Sequence, residues 1–300
     1  MNGTKATHLA RGIATLAIAM CTACLSLAAA RAEGKKPAGL NNAAYAAALK
    51  AYVNDNGMVN YKGLKAHPQD LNAFLKSIAR LARKDFEKLP TKQQIAFWIN
   101  AYNACTLKAI ISNYPLKSSF FRSFVYPSNS IRPIKGVWDT LKFKIMGRQV
   151  TLDDIEHNTL RKKFNEPRIH LALVCAAMGC PPLLNEPYEG KTLDSQLDGR
   201  ARQFLKNPKK FRIDRAGRRV YISPIFEWFG EDFIKTYGTD KKFAGRSEAE
   251  RAVLNFLSKY LKQKGQRYLA GSEYKVVYMD YDWSLNEQRH VPAKRKRLAD

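Results

Sequence analysis

Cysteine is scarce, and its placement matters more than its amount. Of five cysteines in 300 residues, Cys21 and Cys24 lie in an apolar N-terminal run, leaving Cys105, Cys175 and Cys180. That remainder cannot build a disulfide framework: at most one bridge forms and one thiol is left over. Acidic residues are also few, 26 against 51 Lys and Arg, for a formal charge of +25. Such a charge favours anionic envelope surfaces or acidic polymers as partners. No RNP signature, zinc finger or Walker loop accompanies it, so nothing directs it to nucleic acid. Histidine is limited to five, and Cys-x4-Cys with His157 and His170 matches no common zinc spacing, so neither metal nor cofactor is expected. Apolar runs of membrane length are missing after residue 32, so no transmembrane span is expected in the mature chain.

The first 32 residues read as a secretory signal. Lys5 and Arg11 form a basic n-region, "GIATLAIAMCTACLSLAAA" an apolar h-region, and Ala30 and Ala32 flank Arg31 as an A-x-A cleavage pattern. Neither Cys21 nor Cys24 follows a convincing lipoprotein box. Cleavage after Ala32 implies a periplasmic or secreted protein, an oxidising compartment, and removing Lys5, Arg11 and Arg31 leaves about +22. Residues 33–40 read as a linker, 41–287 as one domain, and 288–300, with "RHVPAKRKRLAD", as a basic solvated tail.

Within the domain, "NNAAYAAALKAYV" reads as a helix and "VNYKGLK" as a short extended piece. "PQDLNAFLKSIARLAR" places Leu71, Phe74, Leu75, Ile78 and Leu81 at helical spacing. Residues 91–113 read as a long helix, apolar nearly all round from Ile95 to Ile111 and therefore central and buried. "KFKIMGRQVTL" alternates around Gly147 as a hairpin. Thr151 and Asp154 make an N-cap pair opening the next helix. "IHLALVC" reads as a buried strand, "KTLDSQLDGRARQFLKN" as an amphipathic helix, "FRIDRAGRRVYIS" as a hairpin, and "YKVVYMDYDW" as a final strand on which Asp280 and Asp282 share a face. Helices and strands interleave irregularly with no fixed repeat. The expected fold is a single α+β domain, with helices packed on a small, mostly antiparallel sheet around the central helix.

Chemistry concentrates in three places. On the helix after Thr151, His157 has Asp153, Asp154 and Arg161 at helical neighbour spacing, and Glu156 lies on or beside the inward stripe. A carboxylate in reach of an imidazole fixes its tautomer and raises its basicity, the orienting role in a thiol–imidazole–carboxylate site. The competing reading is a structural ion-pair network. In "IHLALVCAAMGCPP", Cys175 ends the apolar run and opens into a Gly/Pro loop, where a thiol can be exposed. If that run is a regular strand, His170 points away from Cys175. Cys180 is an alternative nucleophile, a bridge partner for Cys175, or an inert thiol. Cys105 is packing. Finally, Asn100 and Asn103 lie one turn apart on the buried helix, where their amides either pin an adjacent loop or serve the chemistry.

Taken in order, "VNYKGLK", "AFWINAYNACTLKAI", "LDDIEHNTLR", "EPRIHLALVCAAMGCPPL", "LDSQLDGRARQFL", "ISPIFEWFGEDF" and "YDWSLN" resemble the DUF547 family, a domain of unknown function found in exported bacterial proteins and in plant proteins. The resemblance spans roughly residues 50–286. It places Asn100, Glu156, His157, Arg161, His170, Cys175 and Cys180 at signature positions and brings no established reaction. The family pattern has Asp at Asn60, and often Asp-Pro where this chain has Glu166–Pro167.

The leading expectation is a thiol-dependent hydrolase or acyltransferase acting on amide or peptide-like bonds. Cys175 would be the nucleophile, His157 the base, Glu156 or Asp153 the orienter, and Asn100 an oxyanion donor, with Arg161, His170 and Asn103 supporting. The alternatives are a non-enzymatic envelope-binding module, using the cationic surface with Tyr126, Trp138 and Trp228, and a redox pair in which Cys175 and Cys180 cycle as a dithiol.

Overall fold

Nothing between Pro90 and Pro115 breaks a helix, and the computed structural model, which describes residues 40–116, 127 and 129–288, forms one there. The leader 1–32, the linker 33–40 apart from Leu40, Tyr126, and the tail beyond Gln288 lie outside the described residues. Three helices precede the central one: α1 (Asn42–Tyr52), α2 (Tyr61–Ala66) and α3 (Gln69–Arg80). The short α4 (Arg83–Glu87) leads into α5 (Thr91–Asn113), which is buried almost throughout. Tyr45 of α1 stacks on Phe74 of α3 with ring centroids 4.4 Å apart.

"VNYKGLK" is helical rather than extended. Asn60 is the N-cap of α2, its side-chain oxygen accepting from the Gly63 N–H at 2.9 Å. Asp caps as well as Asn does, so the family's Asp at this position would serve the same end.

The expected hairpin forms as β1 (Phe143–Ile145) and β2 (Arg148–Val150). Its turn carries positive φ at Met146 and Gly147, the geometry a two-residue hairpin loop demands. That turn donates from Met146 and Gly147 N–H to the carbonyls of Ile78 and Ala79, capping the end of α3. Thr151 and Asp154 make the reciprocal capping box of α6 (Leu152–Ile155). The helix then widens into a π-turn over Glu156–Leu160 and closes as α7 (Arg161–Lys163).

The apolar run after Pro167 is not a strand. Pro167–Leu171 is a buried 3-10 turn, and the chain beyond it is irregular as far as α8 (Leu193–Lys206). The reason is electrostatic as much as apolar. Arg168 pairs with Glu166 at 2.5 Å, Asp194 at 2.7 Å and Asp198 at 2.9 Å, and Glu166 also accepts from the Arg168 N–H. This network curls the segment onto α8 instead of leaving it extended, and Glu166 rather than Asp supplies the reach.

The remaining chain forms β3 (Phe211–Asp214), β4 (Arg219–Ile222), α9 (Ile225–Trp228), a 3-10 turn at Gly230–Phe233, α10 (Ile234–Tyr237), α11 (Glu248–Tyr260), α12 (Gln263–Gly271) and β5 (Lys275–Tyr278). The sheet order is β3-β4-β5, with β3 antiparallel to β4 and β5 parallel to it. Asp280 and Asp282 lie past the end of β5 rather than on a shared strand face. The fold is α+β, as the sequence led us to expect.

Two apolar clusters share this unit. The first gathers α1–α6 and the start of α8, and the second gathers the end of α8, the three-stranded sheet and α9–α12. Ile169 and Ala172 belong to the first, Leu171 to the second, and Tyr281 packs against both. The 3-10 turn therefore lies along the seam. Asn103 holds it there, its amide donating to Ala172 O at 3.0 Å and accepting from Val174 N at 2.9 Å. Replacing Asn103 by Ala strips partners from two buried backbone groups, and chemical denaturation should read a loss of about 2–4 kcal/mol.

Candidate functional site

The π-turn at Glu156–Leu160 adds one residue to the helical turn, so Arg161 N–H donates to Glu156 O instead of to the next carbonyl along. Around this bulge, two imidazoles and three carboxylates come together. His157 Nδ1 accepts from Arg161 Nη1 at 3.0 Å, because guanidinium can only donate. The ring proton is therefore on Nε2, which faces Asp153 Oδ1 at 3.7 Å. Burial lowers the His157 pKa, Asp153 opposes that shift, and Arg161 adds to it. Asp154 does not take part: it caps Thr151 and accepts from Asn158.

The second imidazole is the better-organised one. His170, 1% exposed at its side chain, donates from Nε2 to Asp232 Oδ2 at 2.7 Å. Its ring stacks on Phe229 at 4.0 Å and 9°. Asp232 also accepts two bonds from Arg161, at 2.6 Å and 2.9 Å. Burial would raise the Asp232 carboxyl, but the bonds from His170 and Arg161 outweigh it and hold the group well below the usual carboxylate range. Burial likewise lowers the His170 pKa, against the pull of Asp232. The other ring nitrogen, Nδ1, has no hydrogen-bond partner among the described residues and faces Glu156 Oε1 at 3.8 Å.

Glu156 points inward from the bulge and is hydrogen-bonded by Tyr102 of α5. Burial lifts its carboxyl to about 7, with Tyr102 and Arg161 resisting and Asp153 and Asp232 assisting. Near neutrality it is a proton donor and acceptor in comparable measure.

The sulfurs form the facing wall. Cys175 and Cys180 are joined as a disulfide, so the expected free thiol at Cys175 is a correction: of the three readings open for Cys180, bridge partner is the one found. Ala176, between them, takes a positive φ of 62°. The Cys175 backbone N–H donates to Cys180 Sγ at 3.0 Å, and the Tyr281 hydroxyl lies 3.2 Å from Cys175 Sγ and 3.1 Å from Cys180 Sγ. Cys175 is partly exposed, whereas Cys180 is buried.

The loop is laced to the C-terminal segment. Met178 N–H donates to Ser284 O, and Gly179 N–H to Asp282 O, each at 2.7 Å. Tyr281 presses so closely on the loop that a Cβ at Gly179 would meet its ring at 2.6 Å. Free Cys105 is buried in α5, where burial pushes its thiol up, in keeping with packing.

A cleft of about 210 Å³ joins these pieces. Asp153, Glu156, His157, His170, Cys175 and Cys180 all line it, so the expectation that His170 turns away from Cys175 fails along with the strand it assumed. Aromatic rings of Trp138, Trp228, Phe229, Tyr281 and Trp283 complete the walls. Asn100 is absent from the lining. Its amide donates to Tyr188 O at 2.8 Å and accepts from Tyr188 N at 2.9 Å, which ties it to that loop and away from the cleft. Both asparagines pin loops. Among the described residues, no group of three or more His, Cys, Asp or Glu could hold a metal ion, and no helix is long and apolar enough to cross a membrane.

Sequence reasoning missed Asp232, Tyr102 and Tyr281. Each lay inside a segment that resembled the family, "ISPIFEWFGEDF", "AFWINAYNACTLKAI" or "YDWSLN", but nothing in the local spacing set it apart. Residues 86–205 of this α+β chain match the family described as a protein of unknown function, DUF547. No curated protein and no solved structure matches the chain.

Burial of Glu156 has a measurable sign. In the unfolded chain its carboxyl titrates in the ordinary range, whereas in the fold it holds its proton to about 7. Stability therefore falls as pH rises between those values, and above about 7 the full cost of burying the charge, on the order of 3 kcal/mol, is present. Urea denaturation of Glu156→Gln and the wild type should show the variant gaining by about that amount between pH 4.5 and pH 8. A difference that stays constant over this interval would mean that Glu156 is not the titrating group.

Proposed function

We propose that the cleft is a thiol–disulfide exchange site in which Cys175 and Cys180 are the reacting pair. The observation that carries this reading is the environment of the Cys180 sulfur, which takes hydrogen bonds from the Cys175 N–H and the Tyr281 hydroxyl. Donors aimed at a sulfur favour its thiolate and make it the better leaving group. The exposure of the two residues agrees: Cys175 is open to attack and Cys180 is covered.

A partner thiolate bonds to Cys175 Sγ, the Cys175–Cys180 bond breaks, and its electron pair leaves on Cys180 Sγ. A second partner thiolate then attacks the partner's sulfur in the mixed disulfide and releases Cys175. The partner is oxidised by two electrons, the pair is reduced, and the two protons from the partner thiols end on Cys175 and Cys180. Glu156, in the same cleft and titrating at about 7, is suited to relay them. Export, expected from residues 1–32, would keep the pair oxidised.

A hydrolase reading has one observation in its favour. The His157–Asp153 contact of 3.7 Å lines the same cleft as Cys175. It needs the pair reduced first, so it follows from the exchange reading rather than competing with it at the same oxidation state.

Dithiothreitol-driven reduction of a protein disulfide, followed by turbidity, tests the proposal. Turnover should vanish in Cys175→Ser and in Cys180→Ser. Tyr281→Phe, which removes one hydrogen bond to a thiolate, should slow it about tenfold. Peptide mapping after brief alkylation of the reduced chain should tag Cys175 ahead of Cys180. Undiminished turnover in Cys175→Ser, or a pair that the folded protein does not surrender to reductant, would refute it.

A further inference from the structure

The cleft has a character that sulfur exchange does not require. In a chain carrying 51 Lys and Arg, its lining among the described residues holds Asp153 and Glu156 and no Lys or Arg. Its aromatic rings do not lie in one plane. Trp228 and Trp283 run nearly parallel at 22° with centroids 6.4 Å apart, while Tyr281 is tilted 50° to Trp228 and 55° to Trp283. Trp138 meets Trp283 edge-on at 69°. Parallel, coplanar faces would make a platform for a flat ligand or a sugar ring. Faces set at several angles make a cage, and the negative faces of a cage attract a positive charge.

Two further observations agree. Trp228 is 47% exposed, an aromatic ring left open at the mouth, although such rings usually bury when nothing binds them. The Arg132 guanidinium lies 4.7 Å from the Trp283 centroid and 5.8 Å from that of Trp138, so these rings already engage a cation on one side. From the aromatic cage of Trp138, Trp228, Trp283 and Tyr281 above the carboxylates of Asp153 and Glu156, we infer that the cleft binds a small organic cation, an alkylated ammonium of the trimethylammonium type. The methyl groups fill the apolar walls, and the charge rests between the ring faces and the acids. A hydrated inorganic cation gains little from such walls.

Binding is independent of the oxidation state of the sulfurs, which keeps it separable from the exchange reading. It also draws on the charge of Glu156. Tyr102 on α5, His170 and Asp232 across the seam, Tyr281 from the C-terminal segment, and Asp153, His157 and Arg161 on its own helix are the titratable or charged groups around that carboxyl. A bound cation favours its ionised form, so affinity should rise with pH.

Choline titrated into the full chain, with intrinsic tryptophan fluorescence as the readout and sodium chloride at equal ionic strength as the control, tests the inference. Saturable quenching is expected, tighter at pH 8 than at pH 5.5, and retained in the Cys175→Ser, Cys180→Ser double variant. Trp228→Ala, at an exposed position that spares the fold, should weaken binding at least about tenfold. The neutral carbon isostere 3,3-dimethylbutan-1-ol should bind far more weakly than choline. Equal binding of the isostere would mean an apolar slot rather than a cation site. Saturation by N-acetylglucosamine in place of choline would mean a glycan site. Either result, or no saturation at all, overturns the inference. Loss of disulfide exchange with choline binding intact would sink only the exchange reading.

Discussion

One carboxylate holds the two halves of the site together. Asp232 sits in the short 3-10 turn after α9, within the second apolar core, and accepts from Arg161 on the bulged helix and His170 on the seam. All three groups are substantially withdrawn from water, and each satisfies a charge or polar atom that would otherwise be costly to bury. Removing Asp232 takes this acceptor from both Arg161 and His170. The triangle therefore fixes where the bulge, the seam turn and the α9 region stand relative to one another, and the cleft is the space that this arrangement leaves. The Phe229 ring, stacked beneath His170 and 5.1 Å from the Arg161 guanidinium, adds an apolar floor to the same joint.

Electrostatics divide the protein into two regimes. Over the surface, the excess of Lys and Arg generates a positive field that favours ionised carboxylates. Inside the cleft, burial dominates. Glu156 keeps its proton to about 7 despite Arg161 close by, whereas Asp232, with its hydrogen bonds complete, stays ionised. Two acids facing the same His170 ring thus hold different charge states, and the difference comes from how many donors each one meets. That separation sets a movable proton on Glu156 in the cleft beside a fixed negative charge on Asp232 behind it.

The long-period features of the fold were readable from the chain. α5 was evident from its length and its bounding prolines, α6 from the Thr151–Asp154 cap, and the hairpins from Gly147 and Gly217. The apolar run at 169–175 misled, because a buried 3-10 turn and a buried strand share the same composition. What curls it is Arg168 reaching Asp194 and Asp198, contacts made far along the chain. The helical neighbours of His157 were legible for the same reason that α5 was: i and i+4 spacing is local. Asp153 and Arg161 do meet that ring. The carboxylate of His170 was not legible, because Asp232 lies 62 positions away and only tertiary packing brings it in. Asn100 and Asn103 proved to be loop pins, the plainer of their two readings, as buried amides with four hydrogen-bonding sites usually are.

The cleft is assembled from two stretches of very different standing. Its titratable side chains, apart from Tyr281, and both its sulfurs fall within residues 86–205, the portion that matches the family. Trp228, Phe229, Tyr281 and Trp283 come from beyond it, arriving on α9 and on the strand of chain laced to the cysteine loop. The titratable floor and the aromatic walls, Trp138 excepted, are thus encoded separately. Drift in the later segment can reshape the aromatic walls while the titratable groups beneath stay untouched, so proteins sharing the floor need not share the walls.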